Sequence, residues 1–222
     1  MTKRELGKRY LLFVVGLFFT SLGIAFTKWA ALGVSPVSSA ANIMNLRFPM
    51  LSMGMWLLIW NCLLIVGQIL ILRKRYQPIQ LLQLPLSILS GYFTDLCLWF
   101  VSFLPNDQYL LRLLWVVLGV AILGFGVGLT VIANVILQAA EGIVKAISDT
   151  IKKDFAAVKI CFDVGCVILS VLLSLILFQG QIIEIREGML IAAFGVGLAV
   201  KVTCRLLGPG LERVLKGTGK DG

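Results

Sequence analysis

The 222-residue chain has no histidine, and only 14% of its residues are charged. The first absence removes the commonest general base and the commonest metal ligand. The second sits well below the roughly 25% of charged residues in a soluble domain. Hydrophobic residues make up 59% of the chain. A core of this size cannot hide that much apolar surface, so lipid is the solvent for much of it. There is no C-x-x-C pair and no G-x-S-x-G pattern. The five cysteines, Cys62, Cys97, Cys161, Cys166 and Cys204, all lie in apolar runs. They read as small buried hydrophobes rather than disulfide or zinc partners. The expectation is a protein that is not an enzyme, with no catalytic residue, no metal and no cofactor.

What is present is a set of long apolar runs. Spans are expected at Tyr10–Thr27, Met50–Leu72, Leu81–Leu104, Leu110–Ala133, Phe155–Phe178 and Glu187–Leu207. The first is too long for a secretory h-region and has no clear cleavage site, so it counts as a membrane helix. The fourth run continues to Ala140. As one helix it would be about 46 Å long, against a hydrocarbon core of about 30 Å. A break or a strong tilt near Asn134 or Gln138 is expected. Gly208-Pro209-Gly210 is expected to end the last helix. Beyond it lies a basic tail, 210–222, with Gly217–Gly222 lacking stable structure.

The net charge of +9 does not point to nucleic acid, because the basic residues flank the apolar runs. That placement suits topology signals and anionic lipid headgroups. Six spans put sixteen Lys and Arg on one side and only Lys28, Arg47, Arg112 and Arg186 on the other. Both termini are therefore expected to be cytoplasmic.

Two connectors stand out. Leu32–Asn42 is uncharged and rich in small and hydroxyl side chains. Ser35 suits a helix N-cap and Pro36 a first helical position, so a short helix is expected over Pro36–Leu46. Glu141–Lys153 alternates apolar residues with Lys145, Asp149, Lys152 and Lys153, as an amphipathic helix at an interface does. The first segment is neutral enough to enter the membrane; the second is expected to stay at its surface.

A weak repeat relates the halves. Leu22-Gly23-Ile24-Ala25 matches Val127-Gly128-Leu129-Thr130, and Asn61 and Asp163 fall at similar places in the following long spans. Gly91 and Gly195 mark the third span of each half. Three spans per half is an odd number, so the second half must run opposite to the first. The fold class expected is an all-α membrane protein of six transmembrane helices. These form two inverted three-helix repeats, 1–104 and 105–209, within one domain, 1–222. Each repeat carries a short re-entrant or interfacial helix after its first span.

The Leu22-Gly23 span, the Gly33-Val34-Ser35-Pro36-Val37 turn, Gly91 with Asp95, and the charged start of span five up to Asp163 carry a resemblance. Over nearly its whole length the chain resembles the YczE/YyaS/YitT family of bacterial integral membrane proteins. The resemblance implies a bacterial cytoplasmic (inner) membrane protein and implies no catalytic residue.

Asp95, mid-span, is the leading candidate for a proton carrier or solute counter-ion, since a carboxylate at that depth costs roughly 2.5–3.5 kcal/mol. Asp163 pairs with Lys159 at i,i+4. Asn61 is a mid-span amide that serves as helix glue or as a ligand. Ser35, Ser38 and Ser39 would surround a helix N-terminus suited to an anionic or carbonyl group. Glu141 and Asn134 hold the comparable place in the second half. Gly124–Gly128 reads as close helix packing, not a nucleotide loop. The expected function is a secondary transporter for a small polar or amphipathic solute. The alternative is a non-transporting accessory or regulatory protein of a membrane-associated complex. The partners expected are membrane lipids and such a solute, and a homodimer stays open.

Overall fold

The computed structural model describes residues 3–183 and 186–216. Gly217–Gly222, expected to lack stable structure, lie outside the described residues. Among the described residues eight α-helices follow in order: α1 (Lys3–Trp29), α2 (Pro36–Arg47), α3 (Met53–Leu72), α4 (Gln83–Val101), α5 (Tyr109–Ala133), α6 (Ala139–Ile151), α7 (Phe155–Leu177) and α8 (Glu187–Lys216). Two 3₁₀ turns, Arg73–Arg75 and Pro78–Leu82, join α3 to α4. The described residues contain no strand. All helices but α2 and α6 are long and apolar enough to cross a membrane, so the protein is an all-α membrane protein of six such helices.

The centre is the pair α1–α5. Gly16 and Gly23 on α1 face Gly119, Leu123, Gly126 and Thr130 on α5, with the register running antiparallel. A Cβ on Gly16 would lie 2.7 Å from Thr130 Cγ2, and one on Gly119 would lie 2.9 Å from Phe26 Cβ. Backbones approach this closely only where side chains are absent, and that closeness supplies the dispersion that holds helices together in lipid. Gly16 thus sits on Gly126 and Thr130, and Gly23 on Gly119 and Leu123. Gly128, matched to Gly23 in the sequence, lies outside this contact. Gly128 packs instead against Thr203 of α8. A short run of small residues fits several registers, and only the facing backbone selects one.

Outside this pair, α4 packs on α1 and α8 on α5, while α3 closes on α4. Gly54 of α3 and Gly91 of α4 meet backbone to backbone. The short helices lie between the same two long ones: α2 packs on α7 and α3, and α6 on α3 and α7.

Helix ends follow local rules with two exceptions. The fourth span stops at Ala133, where Asn134 takes the left-handed conformation of a C-cap (φ 48°). The break expected near it is there. The sixth does not stop at Gly208-Pro209-Gly210, and α8 continues to Lys216 through Pro209. Proline there removes one hydrogen bond and crowds the preceding turn. Gly208 and Gly210 leave open space around it, and the last turn is docked: Leu215 is buried and Lys8 Nζ donates to Val214 O at 3.0 Å. The basic tail therefore begins as helix. The second exception is α6. Its outer face carries the exposed Lys145–Asp149 pair, as an interfacial helix should. Its first turn is internal, with Ala139, Ala140 and Gly142 buried.

Of the cysteines, Cys97 and Cys166 are buried, Cys62 and Cys204 half-buried and Cys161 exposed. Cys161 thus departs from the expected burial because its side of α7 has no protein neighbour. All five are free thiols.

Closeness at the central seam predicts opposite outcomes for two Gly→Ala changes. In Gly126→Ala the new Cβ would collide with the Thr20 backbone, a loss of about 1–3 kcal/mol. In Gly165→Ala it meets nothing within 4 Å, so helix propensity should yield a gain of up to about 1 kcal/mol. Thermal unfolding of the two variants in detergent checks this. Equal melting temperatures would remove the seam's claim to tight packing.

Candidate functional site

The chain reverses after α1 through Ala31 (φ 52°) and Gly33 (φ 104°). Leu32 and Val34 are fully buried, and Leu32 O accepts from Gly188 N at the start of α8, at 2.9 Å. This reversal carries the chain back among the long helices before α2 begins. Ser35 is the N-cap and Pro36 the first helical residue, as the sequence implies. The Ser35 hydroxyl does not cap the helix; it lies 2.7 Å from the Ser38 hydroxyl.

Both serines face a cavity of about 530 Å³ at the centre of the molecule, within the roughly 300–1,000 Å³ of small-molecule sites. α1 contributes Thr20 and Ile24, and α3 contributes Trp60 and Asn61. The first turn of α6 contributes Glu141, with Gln138 before it. Lys159 and Asp163 come from α7, and Val196 and Gly197 from α8. The N-terminal ends of both short helices therefore meet one space. Most of the wall is apolar, and its charged groups are Glu141, Lys159 and Asp163.

Lys159 Nζ and Asp163 Oδ1 are 2.5 Å apart, both about one quarter exposed. The Asn61 amide makes no hydrogen bond among the described residues. Two further wall groups, Trp60 Nε1 and Glu141 Oε2, are buried without a hydrogen-bond partner among the described residues. An apolar space with few convergent polar groups can hold and orient a solute. Each unpartnered donor or acceptor leaves a bond for that solute to make.

Of the candidate residues, Ser35, Ser38, Asn61, Asp163 and Glu141 come together at this cavity. Three do not. Ser39 points into the α2–α7 contact, where its hydroxyl meets Ser170 and Pro36 O. Asn134 is exposed and serves as the α5 C-cap. Asp95 lies off the cavity, against the start of α3. Its Oδ1 accepts from Gly54 N at 2.8 Å, and its Oδ2 from the Ser52 hydroxyl at 2.5 Å. Ser52 in turn caps α3 by accepting from Met55 N. The carboxylate read as mid-span is thus a helix-terminus partner across the α3–α4 contact.

The wall also contains Trp60, Thr20, Gln138 and Lys159, which were not singled out as site residues. Lys159 had a signal, its i−4 spacing from Asp163. Trp60 had none, because tryptophans near span ends usually mark the interface. Trp29, Trp56 and Trp115 do bond loop carbonyls near helix ends.

Removing the Asp95 carboxylate strands Gly54 N–H and the Ser52 hydroxyl. Asp95→Ala should therefore lower stability by about 1–3 kcal/mol, and Asp95→Asn, which keeps one acceptor, by less. Detergent melts of both variants would show this, and a parental melting temperature for Asp95→Ala would refute the capping role.

Neither curated proteins nor solved structures yield a match to this chain. A family model described as a family of unknown function, DUF6198, matches residues 7–205. With nearly the whole chain covered, this six-helix protein belongs to the DUF6198 family.

Proposed function

We propose that the protein is a secondary transporter, carrying a small polar or amphipathic solute across a bacterial cytoplasmic membrane. The observation that carries this reading is the central cavity, to which the N-terminal ends of α2 and α6 both contribute. In an inverted-repeat transporter the solute site lies between the repeats and is built by short or broken helices. Here the halves are 1–104 and 105–209, and α2 and α6 are the pair of short helices. Their shared packing on α7 and α3, and the antiparallel seam that sets Gly16 on Gly126 and Gly23 on Gly119, support an inverted two-fold relation. The basic-residue asymmetry orients both termini to the cytoplasm. Kinship with the YczE/YyaS/YitT proteins belongs to the same proposal and rests on the Gly33–Val37 turn.

Asn61, Ser35 and Ser38 orient the solute. The Lys159–Asp163 pair opens and re-forms as charge enters and leaves, and Glu141 carries the proton. A non-transporting accessory protein is the second reading. One observation favours it: Asp95, the leading candidate proton carrier in the sequence, is committed to capping α3.

Liposomes holding the full-length protein, challenged with candidate solutes under a pH gradient, test the reading. Asn61→Ala and Asp163→Asn should each cut uptake roughly tenfold, the loss of about one hydrogen bond to the solute. Folded Asp95→Asn should transport normally. Uptake no greater than in empty liposomes, across a broad solute panel, would favour the accessory reading.

A further inference from the structure

α3 and α4 close on each other at Gly54 and Gly91. Their counterparts, α7 and α8, do not pack together along their lengths: α7 rests on α2 and α6, and α8 on α5. The cavity reaches the molecular surface between them. Ile160 of α7 lines the cavity yet is 65% exposed. On α8, Ala193 and Gly197 line it and are likewise exposed. The rim is apolar, with Val164, Phe194 and Leu198 exposed, and the next exposed residue of charge along α8 is Lys201. In a membrane span such a rim meets acyl chains, not water. The inner end of the same space is polar: the unbonded Asn61 amide, the serine pair and the Lys159–Asp163 pair.

We infer that the cavity takes a single-chain amphiphile directly from the bilayer, its alkyl chain in the α7–α8 slot and its head at Asn61, Lys159 and Asp163. A head carrying both signs of charge suits a wall where cation and carboxylate are paired. The inference rests on the proposed solute-binding role of the cavity and names the solute's class and route. The chain supplies binding energy because each buried methylene contributes, whereas a chain-free solute gains nothing from the slot.

The test uses the full chain in phosphatidylcholine nanodiscs. The probe is an alkylphosphocholine with a photoreactive group on the chain, and labelled residues are located by mass spectrometry. Label should concentrate around Ile160 and Gly197. Gly197→Trp fills the slot at a position where a Cβ meets nothing within 4 Å. It should weaken labelling about tenfold, the equivalent of roughly two methylenes unburied, and Ile160→Trp gives an independent check should Gly197→Trp misfold. Asn61→Ala should weaken it as well, and longer chains should compete better than shorter ones. If phosphocholine without a chain competes equally, the lateral route is overturned while the cavity stands as a solute site. Cross-linking of two copies through Gly197→Cys, with the label excluded, would overturn it in favour of a dimer contact. If labelling ignores both Gly197→Trp and Asn61→Ala, the lateral route and the solute site fall together.

Discussion

The close approach of α1 and α5 is the constraint on which the rest depends. No hydrophobic effect draws helices together in lipid, because the tails are as apolar as the side chains. What remains is dispersion at short range and hydrogen bonding. Gly16, Gly23, Gly119 and Gly126 let the two backbones come within side-chain-free contact. With that seam made, α4 and α8 are carried on its two flanks. The remaining space between the flanks and the two short helices becomes the cavity.

Polar groups elsewhere divide according to whether they find a partner. Gln68 and Gln83 are buried to 0% and 3% exposure, bond each other, and tie α6 through Ala139 O. Arg9, also buried, reaches Ala133 O and Glu5 and pins the start of α1 to the end of α5. Lys28 meets Asn42 at 2.6 Å and ties α1 to α2. A polar group in a membrane protein is costly until satisfied, so each of these is a clamp. Among the described residues, Trp60 Nε1 and Glu141 Oε2 are buried without a partner on the cavity wall, as are Tyr76 Oη, Gln80 Oε1 and Asn106 Oδ1 away from it. A mid-span place in the sequence did not separate the classes: Asp95 proved to be a clamp on the start of α3.

The helix pairs α3–α4 and α7–α8 differ in closure. The Gly54–Gly91 contact seals α3 to α4, and Asp95 reinforces it by holding the start of α3. Neither Gly165 of α7 nor Gly197 of α8 meets anything in the space beside it. The α3–α4 pair is thus shut by backbone contact and charge-assisted bonds, while α7 and α8 are left apart.

The sequence by itself determined what depends on composition and on neighbours along the chain. Six long helices, the stop at Ala133, the start at Ser35-Pro36 and the Lys159–Asp163 spacing all follow from hydropathy, capping and helical periodicity. Those forces act within a few residues, so they are written locally. Only the tertiary structure decided which polar residues share a space. Asp95 and Asn61 look alike in sequence, both polar within an apolar span. One faces the free N–H groups of α3 and the other an open cavity. Register at the glycine seam and the continuation of α8 past Pro209 were settled the same way. A glycine or proline states what the backbone can do, and the facing helix determines what it does.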